Sequence, residues 1–286
     1  MTRRKRILPR GWYPFDGKDC KRDIESYLEG WSPSQSLSME GLGGIVPHAG
    51  WYFSGKLAAR VFHSLKSKRR VEVVVLYGGH LSSESLSQIV LEEGWETPFG
   101  DVEIHTGLAK KLMKKIDTKK ESPSSGDNTI EVQLALVKYF FPEAKLLALR
   151  SPSSLKAQEL GEAVAEIAKT EGISILAIGS TDLTHYGPNY GFLRKGVGPS
   201  AVEWVKKEND RGFIDCALRM DIEGLIKHAE ENDSACSAGA AASAMATCKV
   251  LGAKKGVLVD YYTSYDIMPD DSFVGYAGIV YEYFKK

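Results

Sequence analysis

The sequence predicts an α/β protein, organised as a single domain over residues 1–286 with a central, mostly parallel sheet flanked by helices. Short aliphatic runs alternate with segments of helical periodicity, and this alternation is typical of parallel sheets. The 286 residues fit one large domain with a well-filled core. A composition of 43% hydrophobic and 26% charged residues is that of an ordinary soluble globular protein.

Each predicted strand is a short run of β-branched or aliphatic residues, which favours a sheet covered on both faces. A further apolar stretch, residues 272–284, alternates less cleanly and fits either an edge strand or an added antiparallel strand. The four clearest strands are residues 71–76, 145–149, 173–178 and 256–262.

Helices are predicted between these strands, because apolar residues recur there near every 3.6 positions or helix formers dominate. Residues 119–127 are polar, contain Pro123 and Gly126, and are predicted to form a loop within the domain. The predicted helices are residues 56–65, 106–116, 130–140, 154–170 and 238–250.

The charge balance argues against some classes of partner. Lysine and arginine total 37, as do aspartate and glutamate, so no net charge favours nucleic acid or an anionic membrane. No apolar run reaches the roughly 18 residues that span a bilayer, and no apolar signal segment is present. The 4 cysteines form no Cys-x-x-Cys pair. This pattern indicates a reducing compartment, so we expect a cytoplasmic protein.

Three of the six histidines lie in glycine-flanked loops at predicted strand ends. His48 lies between Pro47 and Gly50, while His80 and His185 follow the strands predicted at 71–76 and 173–178. A lone histidine in such a loop is more often structural. However, the carboxyl ends of parallel strands meet at one edge of a sheet, where ligands bind. The pattern therefore predicts a metal site or an acid/base site at this edge.

Two further side chains are candidates for the same site. Cys236 comes just before the predicted helix 238–250, and a helix N-terminus favours a reactive or metal-binding thiolate. The alternative is that it is a small core residue among alanines. Asp182 and His185 share one loop and could exchange protons or support a metal ligand. A capping role is the alternative for Asp182.

Taken together, these segments resemble the Memo family, which includes protein B of the AmmeMemoRadiSam system. The resemblance runs along nearly the whole chain. It rests on Gly11-Trp12-Tyr13-Pro14, PHAGWYFSG from Pro47, the strand that ends at His80, EGWETPFGDVEIHT from Glu93, TIEVQL from Thr129, STDLTHYG from Ser180, the Cys236 helix and SFVGYAGIVY from Ser272.

The resemblance implies a fold like that of the class III extradiol ring-cleaving dioxygenases, which hold non-haem iron with two histidines and a carboxylate. It implies His48 and His80 as metal ligands, with Cys236 in place of the carboxylate. His185 would match the acid/base histidine, with Asp182 beside it. A thiolate makes the site softer, so iron is the first choice of metal, with copper or zinc as alternatives.

The chain departs from the family pattern at three places. Gly78-Gly79 stands where the family often has Pro-Asn, and Asp127-Asn128 stands where it often has Glu-His. Ser237 replaces a glycine that usually follows the cysteine. The three candidate ligands are present, but Asn128 stands where the family often has a histidine. The ligand set of the family can therefore be carried over to this chain, whereas its catalytic scheme lacks one residue.

Three functions are compatible with these residues. The first is a metal-dependent oxidoreductase that acts on an unknown substrate. The second is a non-catalytic module that binds a peptide or protein in the dioxygenase cleft, since Memo proteins are linked to phosphotyrosine peptides in animals. The third is a zinc-dependent hydrolase. The resemblance also implies a radical-SAM partner protein, as in microbial relatives.

Overall fold

The computed structural model describes residues 2–33, 40–66 and 70–283. Its strands are β1 Arg3–Arg4, β2 Gly41–Val46, β3 Val73–Leu81, β4 Ser87–Ile89, β5 Gly94–Trp95, β6 Val102–Glu103, β7 Thr118–Lys120, β8 Lys145–Pro152, β9 Ile175–Ser180, β10 His185–Tyr186, β11 Ala253–Thr263 and β12 Phe273–Tyr283. Its α-helices are α1 Gly17–Leu28, α2 Trp51–Ser64, α3 Thr106–Lys115, α4 Asn128–Glu131, α5 Leu134–Phe140, α6 Lys156–Glu171, α7 Pro199–Trp204, α8 Asp210–Arg219, α9 Ile222–Asn232 and α10 Ala238–Leu251.

Within the described residues, nine strands form the central sheet in the order β10-β12-β2-β9-β3-β8-β4-β7, with β11 also paired to β12. The four central strands β2, β9, β3 and β8 are parallel. Antiparallel pairing joins β12 to β2 on one side and β4 to β8 on the other. The mixed α/β architecture predicted from the sequence, a large sheet flanked by helices, is therefore confirmed.

Alternate residues of the central strands supply two hydrophobic cores, one on each face of the sheet. Val73 and Val75 of β3 belong to a cluster with buried residues of α6, α9 and α10. Val74 and Leu76 belong to a second cluster with residues of α1, α2 and α5. Burial on both faces explains why the central strands are continuous apolar runs.

Helix α10 lies unusually close to its neighbours because small residues fill the interface. It is rich in alanine, and a Cβ added at Gly161 of α6 would collide with the carbonyl oxygen of Ser243. A Cβ added at Gly179 of β9 would lie 2.7 Å from the carbonyl oxygen of Ala240. This close packing fixes the position of the residues that precede α10, including Cys236.

Several elements differ from the sequence predictions. The helix predicted at 130–140 is divided into α4 and α5, and residues 119–127 begin with strand β7 rather than a loop. The run 256–262 belongs to β11, which pairs only with β12 and is half-buried rather than covered on both faces. The stretch 272–284 forms β12, which lies between β2 and β11, although Phe284 is outside the described residues.

Five of the described elements that had no predicted bounds are α1, β2, α7, α8 and α9. Strand β2 has the sequence Gly-Leu-Gly-Gly-Ile-Val, and three glycines give it little β propensity. Its place in the sheet is set by close packing against β9 and β12 rather than by local preference. Across ranges 2–33, 40–66 and 70–283, no helix is both long and apolar enough to cross a bilayer.

The close contact of α6 with α10 generates a test. Gly to Ala in a helix interior ordinarily stabilises a protein by up to about 1 kcal/mol. Gly161→Ala should instead destabilise the protein by about 1–3 kcal/mol, because the added methyl group must displace the α10 backbone at Ser243. Urea unfolding measures the change.

Gly107→Ala is the matched control, since a Cβ there would meet only ordinary contacts with His105 in helix α3. A stability of Gly161→Ala equal to or above that of this control would contradict the tight α6–α10 contact.

Candidate metal centre

Four segments that carry candidate residues meet at the carboxyl edge of the parallel strands. The loop with His48 follows β2, His80 lies near the end of β3, and the loop with Asp182 and His185 follows β9. Cys236 precedes α10. Because β2, β9 and β3 are neighbours in the sheet, their ends deliver these side chains to one place.

The ligand atoms of His48, His80 and Cys236 all lie within 4.8 Å of one another. Cys236 Sγ is 3.2 Å from His48 Nε2. The two imidazole rings are nearly perpendicular, at 87°, with their centroids 5.2 Å apart. His48 is buried and Cys236 half-buried, whereas the His80 side chain is 43% exposed, so the cluster opens to solvent on the His80 side.

The backbone around His48 is held by three side chains. The His48 N–H donates to Asp182 Oδ1 at 2.6 Å, and Asn128 Nδ2 donates to the His48 carbonyl oxygen at 3.0 Å. Gln133 Nε2 donates to the carbonyl oxygen of Pro47 at 2.7 Å. These bonds tie the loop after β2 to the loop after β9 and to the α4–α5 segment.

The ring of His48 is oriented by Ser180. The Ser180 hydroxyl donates to the Thr129 carbonyl oxygen at 2.6 Å and accepts from Gln133 Nε2 at 3.2 Å, so its oxygen can accept one further hydrogen bond. His48 Nδ1 lies 3.4 Å from that oxygen and can donate to it. This arrangement leaves Nε2, the nitrogen that faces Cys236, as the candidate ligand atom.

The ring of His80 is oriented by Asp127. Both the backbone N–H and Nδ1 of His80 lie 3.1 Å from Asp127 Oδ2. Burial opposes ionisation of Asp127, but the His80 hydrogen bond and the Arg150 guanidinium hold the pKa of this carboxyl well below its usual range. A carboxylate that fixes a ligating imidazole from behind is a common support of metal sites.

Arg150 belongs to a buried charge network that extends away from the site. Its guanidinium pairs with Asp127 and with Glu121 Oε1, the latter at 2.7 Å. Arg4 also pairs with Glu121 Oε1, at 2.6 Å, and lies over the ring of Trp95. The Arg4, Glu121 and Arg150 side chains are almost fully buried, so each charge is stabilised by an opposite charge rather than by water.

Steric constraints explain why the two residues before His80, Gly78 and Gly79, are glycines. A Cβ at Gly78 would collide with Thr129 Oγ1, and a Cβ at Gly79 would lie 2.7 Å from Arg150 Cβ. Gly79 also has φ +98°, which side-chain-bearing residues rarely adopt. Gly78 therefore accommodates Thr129, and Gly79 accommodates Arg150, which is the partner of Asp127.

Cys236 and the two histidines shift one another's protonation. Burial disfavours the Cys236 thiolate, but His48 and His80 hold the pKa of this thiol well below its usual value. Burial lowers the pKa of His48, yet Cys236 and Asp182 raise it to about 9. Hydrogen bonds to Asp127 and Cys236 raise the pKa of His80 to about 10. The protein without metal thus favours a thiolate between two protonated imidazoles.

Asp182 and His185 lie beside this cluster. Burial raises the pKa of Asp182, whose Oδ2 is 4.0 Å from His48 Nε2. His185 Nδ1 lies 3.1 Å from the Leu183 carbonyl oxygen, which can only accept, so Nδ1 carries the proton of that bond. In neutral His185 the lone pair is then on Nε2. Proton transfer by these two residues remains a prediction.

A cavity of about 480 Å³ lies over the cluster, a size suited to a small molecule. It is lined by all four of the predicted histidine and aspartate side chains. Cys236 is not one of the lining residues, but its Sγ lies 3.2 Å from Nε2 of His48, which is. The lining residues are Trp12, His48, Ala49, Gly50, Phe53, His80, Asn128, Asp182, His185, Asn189, Tyr190, Ser264, Met268, Asp270, Ser272, Val274 and Tyr276.

Sequence reasoning did not assign roles to Ser180, Asp127 or Arg150. Asp127 carried a weak signal, because Asp-Asn-Thr is a helix N-cap sequence just after a loop, and its side chain does accept from Thr129 N. Ser180 and Arg150 are ordinary strand residues in the sequence. Only the folded structure shows that Ser180 lies beside His48 and that Arg150 pairs with Asp127, the partner of His80.

The fold and the site together define the class of this protein: an α/β protein with a candidate metal site. Two histidines and one cysteine form that site at the carboxyl edge of the parallel strands. The sequence model of the family described as Memo-like protein matches residues 6–280, so the chain belongs to the Memo-like family. The resemblance found in the sequence is confirmed.

Archaeal relatives match over nearly the full length. A MEMO1 family protein of Nitrosopumilus maritimus is 32% identical over 96% of this chain and 98% of its own length. One from Pyrococcus abyssi is 31% identical over 94% of this chain and 96% of its own. A solved structure, an uncharacterized protein JW3007 from Escherichia coli K12, is 11% identical, covers 78% of this chain and 91% of its own, and has a TM-score of 0.47.

The Asp127–His80 bond generates a pH test. Asp127→Asn keeps an N-cap for α4 but removes the charge, so the pKa of His80 should fall from about 10 toward its ordinary value. Histidine NMR titration of metal-free protein measures it. In the wild type the pair stabilises the fold fully below pH ~6.5, and this contribution is lost as the pH rises to about 10.

Asp117→Asn is the control, because Asp117 is an exposed aspartate on the loop before β7. An unchanged His80 titration in Asp127→Asn would contradict the role of Asp127.

Proposed function

We propose that this chain is a metal-binding protein with a site like that of non-haem iron dioxygenases, and that it acts as a metal-dependent oxidoreductase on a small molecule. The observation that carries the proposal is the cluster itself. Two imidazole nitrogens and one sulfur converge within 4.8 Å, and both imidazoles line an open cavity. Such a constellation joins three distant parts of the chain, and no core packing requires it.

The donor set fits a mononuclear metal. Ligands around one ion at about 2.0–2.3 Å stand roughly 3.5 Å apart, and the Cys236–His48 separation of 3.2 Å is already of that order. Supporting groups are also present: Ser180 behind His48 and Asp127 behind His80. The thiolate favours a softer metal than a carboxylate would, so iron is the first choice and copper or zinc are the alternatives.

When bound, a redox metal with open positions would supply the electron transfer. The protein's own side chains supply the rest. Asp182 fixes the His48 loop through the backbone N–H. His185, with Nδ1 committed to Leu183, offers Nε2 to take or give a proton at a substrate. Trp12 and Phe53 line the cavity and reduce access of water to the cluster.

The two alternative functions, a peptide-binding module and a zinc-dependent hydrolase, would use the same cavity. The identity of the bound metal distinguishes these two functions from the oxidoreductase. A radical-SAM partner and a cytoplasmic location remain predictions from the family resemblance.

Metal content is the direct test. Protein purified without oxygen should contain about one iron or copper ion per chain, and Cys236→Ser should lose most of it because an alcohol replaces the thiolate ligand. Elemental analysis measures the content of each variant after gel filtration.

Cys216→Ser serves as the control, since Cys216 lies on α8, outside the cluster. Trace metal that is the same in wild type, Cys236→Ser and Cys216→Ser would refute the proposal. One zinc ion per chain, together with hydrolysis of an ester or amide, would show instead that the protein is a zinc-dependent hydrolase.

Metal affinity should also depend on pH. Metal binding must displace protons from His48 and His80, whose pKa values are about 9 and about 10 in the metal-free cluster, while the thiol is already ionised. Affinity should therefore rise steeply between pH 7 and pH 9, by up to roughly a hundredfold per unit. Competition with a chelating dye measures it, and an affinity that stays constant over this range would exclude this ligand set.

A further inference from the structure

The charged groups around the cavity are unevenly distributed. Among the described residues that line it, none is lysine or arginine. The imidazoles of His48 and His80 are its cationic groups in the metal-free protein, and Asp182 and Asp270 are its carboxylates. Asp182 is buried and committed to the His48 N–H. Asp270 is exposed, on the solvent side of the cavity, and no described lysine or arginine lies within ion-pair distance of it. Its Oδ1 accepts from Ser272 N at 2.9 Å, which leaves Oδ2 for a ligand.

Aromatic rings form much of the remaining wall. Trp12, Phe53, Tyr190 and Tyr276 line the same space. Burial, Asp182 and Asp270 all raise the pKa of Tyr190, so its phenol stays neutral, and Tyr190 lines the same cavity as both carboxylates. Rings beside a carboxylate are a favourable environment for an organic cation, which gains ring-face attraction as well as the ion pair.

We propose that the cavity takes a small molecule with a flat, apolar body and a positively charged amine, and that the amine binds Asp270 while the opposite, polar end faces the His48, His80 and Cys236 cluster. The inference rests on the proposed function, because it names the substrate class of that site. An anionic group at the Asp270 end would meet a like charge, with no lysine or arginine among the described lining residues to compensate it. The volume of about 480 Å³ suits a molecule of one or two rings.

A pair of probes that differ in charge tests the inference. Tyramine and 3-(4-hydroxyphenyl)propionate share a phenol and a short chain but end in an ammonium and a carboxylate. Calorimetric titration of the full chain, at fixed and physiological salt, should show tyramine binding at least about tenfold more tightly. In Asp270→Asn this preference should fall to about twofold or less.

Asp271→Asn is the matched control, because it removes the same charge from the next exposed residue, which does not line the cavity. It should keep the preference for tyramine. Equal affinity for both probes, a preference for the carboxylate, or equal losses in Asp270→Asn and Asp271→Asn would each overturn the inference.

Metal analysis of the same samples separates this inference from the proposed function. A cation preference in protein that holds no stoichiometric metal would support the ligand class and refute only the metal function. Stoichiometric metal without a cation preference would refute only the ligand class.

Discussion

The close approach of helix α10 to the central sheet is the constraint on which the site depends. Alanine on the helix and glycine on α6 and β9 let the backbones approach to distances that larger side chains would prevent. The start of α10 is thereby held against the carboxyl edge, where Ser237 N donates to Thr181 Oγ1 at 3.1 Å and Cys236 N to Asp182 O at 3.2 Å. A protein interior resists expansion, so the sulfur cannot drift away from the imidazoles.

The second requirement is charge compensation. Asp127 can hold His80 only as a carboxylate, and a half-buried carboxylate is costly unless a cation accompanies it. Arg150 is that cation, and Glu121 in turn balances Arg150. His80, a candidate metal ligand that lines the cavity, is therefore oriented by charges that lie well inside the protein, where solvent ions screen them little.

Much of this arrangement could be predicted from the sequence, and the limits have physical causes. The convergence of His48 and His80 follows from topology, because neighbouring parallel strands end at one edge of the sheet. In the structure the ligand atoms of these two residues and of Cys236 lie within 4.8 Å of one another, in agreement with that expectation. The orienting groups could not be predicted, since the contact of Ser180 with His48 depends on strand register. Nor could the break between α4 and α5, where the side-chain amide of Gln133 donates to the Pro47 carbonyl oxygen and to Ser180 Oγ.

The charge network also has a consequence for the order in which the protein assembles. Arg4 and Glu121 are 117 residues apart in sequence, yet both are buried in one ion pair. Contacts between such distant residues form late, because closing a long loop costs entropy before any contact repays it. With Arg4 absent, Glu121 and Asp127 share a single guanidinium. The charge balance behind His80 is therefore complete only when the segment with Arg4 has packed against the rest of the domain.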